Sequence, residues 1–484
     1  MKKRSLTLAL LVCMLLATAC TGQNTPVATD TTAADTVSTD EVDDTVIKPD
    51  IPSDLRYDGN TFRILATPDA NYGPVLDDFE LDKNADVLQQ ALYNRLIRTE
   101  ERFGITMELN YGVEQQILGM SRASVNANSD DFDMVADVAI WHREGVYEGL
   151  YMPVNDLKYI DLDKPWWSKD YIESVSINPN DPYILFGSIN LKSVERSACV
   201  LFNIDMMRDV KGISEQEMYD LVIDGKWTLD KMIELMKDTY TDENGNTSSD
   251  LNDTYGFVHT DYNEIKFFVF SSGLEFTGRD EDGYPVLALN NERSVSLADK
   301  LITLFKGEDS FSQLTQGETV EIFSAGRSLF YINRFISLGW LRDSNVNYGI
   351  IPPPKYDETI DEYYVAVGDH TQWQMVPLTE PDPDFASAVI EYLAYEGYKD
   401  VIPAYYDITV KFKYTRGDLE GSSKMLDIIM ANQRNDFMSV NSLGGMEGIF
   451  NQVVRSGNNN FSSQYASMVN GANYRLKQYV SNLG

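Results

Sequence analysis

The stretch NADVLQQALYNRLIRTEERFGITMEL (84–109) decides how the rest of the chain is read. Leu88, Leu92 and Leu96 recur four apart, so they share one face of a helix, and that face needs an apolar surface to cover it. Gly104 stops the helix and ITMEL (105–109) follows as an extended run. Upstream, FRILA (62–66) is a short apolar run with the character of a buried strand. Strand, helix, strand in succession predicts a parallel pair joined by a helical crossover, and so an α/β chain with a mostly parallel sheet flanked by helices.

The alternation continues outward. DFDMVADVAI (131–140) reads as a third strand, and EGVYEGLYMPVNDL (144–157) returns as helix and loop. CVLFN (199–203), DTYGFVHT (253–260), SLFYIN (328–333) and YYVAV (363–367) are predicted strands. SEQEMYDLVID (214–224), TLDKMIELMKDTY (228–240) and SVSLADKLITLFKG (294–307) are predicted helices, and the chain beyond 384 is mainly helical. RDEDGYP (279–285) is a hairpin turn in which Gly283 supplies the positive φ. No internal repeat is present.

The N-terminus has a different grammar. Lys2, Lys3 and Arg4 precede an apolar run from Leu6 to Leu16. It is too short to cross a bilayer, which takes about 20 apolar residues, and has the layout of a signal peptide. Leu15-Leu16-Ala17-Thr18-Ala19-Cys20 resembles the lipobox of bacterial lipoproteins. That resemblance implies a leader of residues 1–19 and lipidation of Cys20, which becomes the mature N-terminus. The plainer alternative is an ordinary cleaved leader in which Cys20 is incidental. Residues 21–55 hold no aromatic side chain and many Thr, Asp and Ala. Such a segment buries too little apolar surface to offset its chain entropy. Residues 20–58 are therefore expected to be a flexible acidic tether, spanning roughly 30 Å as a coil.

Composition excludes several roles. A net charge of −35 disfavours nucleic acid and a polybasic membrane footing. The three cysteines are Cys13 in the leader, Cys20 and Cys199, which leaves no intramolecular disulfide in the mature chain. Cys199, in SACVLFN, reads as a small buried hydrophobe. With only His142, His259 and His370, no His-rich metal site is expected, and no cofactor. TYTDENGNTSSDLND (239–253) looks superficially like a calcium loop. Thr247 stands where an EF-hand needs Gly, and Asp253 where it needs a bidentate Glu, so a solvated connection is the better reading. The chain carries no GxSxG, HExxH, GxxxxGK[ST] or post-strand GxGxxG. Its many carboxylates offer pairs that imitate a glycosidase dyad, but spacing in sequence does not give their separation.

Aromatic residues are abundant, and several lie where strands end, the edge at which open α/β sheets present ligand loops. Asp69 and Tyr72 follow the first strand, Trp141, His142 and Arg143 follow the third, and Trp373 follows YYVAVGDHTQW. Flat apolar faces among Asp, Arg and His suit a sugar, whose ring has an apolar face and a hydroxyl rim. The same inventory would serve a peptide or an amine.

DFDMVADVAIWHREGVYEGLYMPVNDL (131–157), CVLFNIDMM (199–207), GKWTLDKMIELMKDT (225–239), DTYGFV (253–258), IFSAGRSLFYIN (322–333) and VNYGIIPPPKYDE (346–358) resemble, in order, blocks of the family 1 extracellular solute-binding proteins. The blocks run from about 60 to 395. Residues 400–484 depart from the maltose-binding type and resemble a helical C-terminal extension. The family implies a two-lobed, periplasmic-binding-protein-like α/β fold. Lobe 1 is expected over 59–192 plus 326–363, and lobe 2 over 193–325 plus 364–484. The lobes would be joined by crossings near Asn190–Val194, Ser324–Leu329 and Asp361–Val365. It further implies a lipid-anchored monomer outside the cell, without catalysis. That monomer captures a small solute, a carbohydrate or oligosaccharide, in the interlobe cleft, closes about the crossings and delivers it to an ABC permease. By position the resemblance assigns Asp69, Tyr72, Trp141, His142 and Arg143 to the cleft from one lobe, and Glu195 and Arg196 to the first crossing. Asn333 and Arg334 follow a late strand, Asn263 and Glu264 belong to the second lobe, and Asp369, His370 and Trp373 come from the return crossing. Trp141 is the strongest candidate for stacking on ligand. The alternatives are a surface glycoside-processing enzyme and an adhesive or structural lipoprotein.

Overall fold

The computed structural model describes residues 47–67, 86–112, 115–260, 263–312, 315–413 and 419–483. The leader, Cys20, the expected tether up to residue 46, Asp69 and Tyr72 lie outside them. The end of the expected tether is not free coil: Ile51, Leu55 and Tyr57 pack on the first lobe's core, and Tyr57 N donates to Phe103 O at 2.8 Å. In chain order the strands are β1 (Thr61–Ala66), β2 (Thr106–Tyr111), β3 (Met134–Val138), β4 (Ala198–Asn203), β5 (Tyr255–Val258), β6 (Thr277–Arg279), β7 (Pro285–Leu287), β8 (Ser310–Phe311), β9 (Ser328–Arg334), β10 (Tyr348–Ile351) and β11 (Gln372–Met375).

The opening βαβ unit forms as its pattern dictates. Asp86 caps the helix Val87–Phe103 in a capping box with Gln89, and Gly104 ends it at φ 72°. A side chain there would also collide with the Asp58 carboxylate. Leu92 and Leu96 are buried on the inner face. β1 pairs in parallel with β2 on one side and β3 on the other, and β11 adds an antiparallel edge, giving the order β11-β3-β1-β2. The second sheet is mixed, in the order β10-β4-β9-β5-β8. There β4 is antiparallel to both neighbours while β5 runs parallel to β8 and β9. β6 and β7 form the expected hairpin, with Gly283 at φ 88°. Cys199 is fully buried on β4.

The division into lobes differs from the expected one. Residues 326–363 contain β9 and β10, which pair with β4, so this segment belongs to the second lobe. Conversely, β11 completes the first sheet, and the following helix Pro383–Glu396 packs on helix Val87–Phe103. Ser324–Leu329 is therefore no crossing. The chain passes to the second lobe through Asn190–Ser197, returns between β10 and β11, and leaves again after helix Ile402–Lys413, since helix Leu419–Ala431 lies on β10. YYVAV is not a strand but the return crossing, where Val365 and Val367 make single bridges to Gln433 and Ser197. Local apolar runs do not say which uncovered strand edge a later segment will meet.

Candidate functional site

Helix Ala139–Tyr147 springs directly from the end of β3. Successive residues on a helix point about 100° apart, so Trp141, His142 and Arg143 cannot share one destination. Ala139, His142, Gly145 and Val146 form the inward face and are buried, whereas Trp141 and Arg143 flank it, partly exposed. His142 is sealed in the first lobe. Its Nδ1 lies 2.8 Å from Asp137 Oδ2, and Nε2 meets the Tyr151 hydroxyl. Burial holds the Tyr151 phenol well above its ordinary pKa, so the hydroxyl keeps its proton. Asp137 also accepts from Thr67 Oγ1 and, at 2.8 Å, from the Val138 N–H. The expectation that His142 faces a ligand is corrected: it is a satisfied core residue.

Trp373 is likewise core. It is 2% exposed, and its indole N–H donates to Tyr171 Oη at 3.2 Å. Asn333 is buried on β9 and donates to Tyr331 Oη at 2.5 Å. Glu264 is buried and accepts from Thr260 Oγ1 at 2.7 Å. Glu195 pairs with Lys192 at 2.6 Å on a short helical turn of the first crossing, and Arg196 beside it is buried. Asn263 opens the helix Asn263–Ser271.

The remaining candidates converge where the lobes meet. The Trp141 and His370 rings stand edge to face with centroids 5.9 Å apart. His370 Nδ1 lies 2.8 Å from Asp369 Oδ1, and Lys266 reaches Asp369 Oδ2 from the second lobe at 3.1 Å. Burial acts to raise the Asp369 pKa, but the His370 hydrogen bond and the Lys266 charge outweigh it, holding the carboxyl well below the usual range. Lys266, Arg334, Asp369 and Ser439 line one recess, floored by Phe267 and Phe270. Arg143 stands at its margin, donating to the Val440 carbonyl at 2.7 Å. The arrangement offers an aromatic edge, a carboxylate acceptor and cationic donors, which suits recognition of hydroxyl-rich or polar solutes.

Two of the polar residues of the recess are not among the sequence candidates. Lys266 had a signal, being the lone cation in the apolar run NEIKFFVFSS. Ser439 had none, because it arrives from the C-terminal extension.

Two other charged features account for themselves. Asp130, Asp133 and Glu380 come close enough for a metal, but Arg63 donates to Asp133 at 2.7 Å and to Asp130 at 2.5 Å. Burial and the neighbouring Asp133 push Glu380 up to about 8, so near neutrality it keeps its proton. The cluster thus supplies its own counter-charges. A groove of about 460 Å³ beside Tyr364 and Arg434 contains Arg279 and Asp436, both already committed. Arg279 caps the carbonyls of Glu173, Ser174 and Ile177, and Asp436 accepts from Phe276 N, Thr277 N and Thr277 Oγ1.

No family model matches the chain, and no curated protein matches it. Solved structures do. A cyclo/maltodextrin-binding protein complexed with maltotetraose aligns over 88% of this chain and 98% of its own, with a TM-score of 0.57 at 13% identity. An extracellular solute-binding protein from Staphylococcus aureus in complex with maltose gives the same coverage and a TM-score of 0.57 at 12% identity. The cyclic α-maltosyl-1,6-maltose-binding protein of Arthrobacter globiformis aligns over 86% of this chain and 99% of its own, with a TM-score of 0.54 at 12% identity. At such identities the likeness is one of architecture: the chain has the two-lobed α/β fold of these sugar-binding proteins.

Proposed function

We propose that this chain is an extracellular solute-binding protein that takes a carbohydrate or oligosaccharide between its lobes and delivers it to an ABC permease. A lipid on Cys20 would hold it at the membrane, with the acidic segment behind it as a tether. The observation that carries the reading is the convergence of Trp141, His370 and Asp369 with Lys266 of the opposite lobe, at the place where an interlobe ligand would sit. The fold is that of proteins whose solved complexes hold maltose and maltotetraose. The mechanism is binding without turnover: stacking on Trp141, solute hydroxyls donating to Asp369, and N–H donation from Lys266 and Arg334 to solute oxygens.

A thermal-shift panel of sugars, peptides and polyamines, with product analysis, tests this. Stabilisation by a sugar that is recovered unchanged supports the proposal. Release of shortened sugars would replace it with a glycoside-processing enzyme, and stabilisation by peptides or amines alone would overturn the substrate class. Cys20→Ser is expected to move the protein from the membrane to the soluble fraction.

A further inference from the structure

A two-lobed binder that closes on its solute bends at the segments crossing between its lobes. In this chain a further segment is fastened to the first crossing and to the return crossing. Residues 432–435 lie along the return crossing. The Asn432 carbonyl accepts from Val365 N at 2.9 Å, and Arg434 N donates to Val365 O at 3.1 Å. Asn435 clasps Val367 from both sides, accepting from its N–H and donating to its carbonyl, each at 2.9 Å. Gln433 reaches the first crossing, donating to Ser193 O at 2.5 Å and Ser197 Oγ at 2.7 Å. Gln433 and Asn435 are each 4% exposed, so these bonds face little competition from water.

The segment then grips each lobe. On the first, Gln433 accepts from Ser168 Oγ at 2.8 Å, Asn441 donates to Val175 O at 3.2 Å, and Tyr147 donates to Asn441. The final helix, Phe461–Leu483, adds an Arg475–Glu144 ion pair at 2.7 Å. On the second, Asp436 holds Phe276 and Thr277, and helix Ile449–Ser456 packs on helix Glu292–Lys306. Phe437, Val440 and Tyr479 belong to one apolar cluster that runs unbroken from Val135 and Tyr147 of the first lobe to Phe257 and Leu301 of the second. Opening the hinge would shear this core and strip buried polar groups of partners, and packed interiors do not deform continuously.

We propose that residues 432–441, backed by the final helix, brace the two lobes at a fixed aperture, so that the solute-free protein does not swing open about its crossings. This stands independently of which solute binds.

The test is a distance measurement by electron spin resonance, with spin labels on Glu108→Cys in the first lobe and Asp299→Cys in the second, in a Cys20→Ser background without added solute. One narrow distance distribution is expected, and it should broaden or split in the Gln433→Ala/Asn435→Ala variant while thermal unfolding stays a single transition. A broad or two-population distribution in the braced protein overturns the proposal, as does a distribution that the double variant leaves unchanged. If that variant does not fold, Arg475→Ala with Arg143→Ala removes the outer ties and is read the same way. No solute is needed, so the result is separate from that of the solute panel.

Discussion

Two histidine–aspartate pairs, His142 with Asp137 and His370 with Asp369, share one contact geometry, with Nδ1 to carboxylate oxygen 2.8 Å in each. Their surroundings are opposite. The first pair is 0% and 1% exposed, filled in by Thr67, Tyr151 and a backbone N–H; the second is 31% and 21% exposed and faces Lys266 and Trp141 across the cleft. The same chemical pair is therefore scaffold in one place and candidate receptor in the other. Burial decides which, because a buried polar group must have all its partners within the protein, whereas a partly exposed one can exchange water for ligand.

The largest test of that contrast is stability. Asp137→Ala leaves three donors unpaired inside the first lobe and should cost about 3–5 kcal/mol in urea unfolding. Asp369→Ala should cost under about 1 kcal/mol. Equal losses would erase the distinction.

A second sealed group carries the pH dependence. Glu391 accepts from the indoles of Trp166 and Trp167, at 3.0 and 2.8 Å, yet burial pushes it up to about 7. A carboxyl raised in the folded state binds its proton more tightly there than when unfolded. Its contribution therefore declines as pH rises from the ordinary carboxylate range to about 7 and is level above that. Glu391→Gln should flatten this decline, by up to about 3 kcal/mol, in unfolding curves taken from pH 4 to 8. Asp369 has the opposite sign: its depressed pKa stabilises the fold at neutral pH, and that is lost only on strong acidification.

Binding should separate the pairs next. Trp141→Ala is expected to weaken sugar affinity by about 2 kcal/mol, read by calorimetry, with the melting temperature nearly unchanged. Unaltered affinity in a folded variant would reject Trp141 as a stacking residue. The smallest effect is expected from Lys266→Met, about 0.5–1 kcal/mol in affinity and weaker at high salt, since the Lys266–Asp369 pair is partly exposed.

Much of the first lobe was readable in one dimension. Asp86, the Leu spacing and Gly104 set the first helix, and FRILA and ITMEL set its flanking strands, because caps and periodicity act between near neighbours. The candidate site was readable only in pieces. Trp141 and Arg334 were picked out by lying after strands, Asp369 and His370 by belonging to the return crossing, and they do meet; Asn333 and Trp373 were picked out in the same two ways and are core. His142 failed for a local reason, since three consecutive helical residues diverge by about 100° each.

By itself the sequence determined the α/β class, the helices at Val87–Phe103, Glu215–Ile223, Leu229–Met236 and Glu292–Lys306, and the turn at Gly283, all written in spacings of a few residues. Only the tertiary structure decided that β9 and β10 join β4, that His142 is sealed while His370 faces the cleft, and that a segment beyond residue 430 ties the first crossing to the return crossing. Those choices depend on which strand edges and apolar faces remain uncovered once the rest of the chain is in place. No spacing along the chain records that competition.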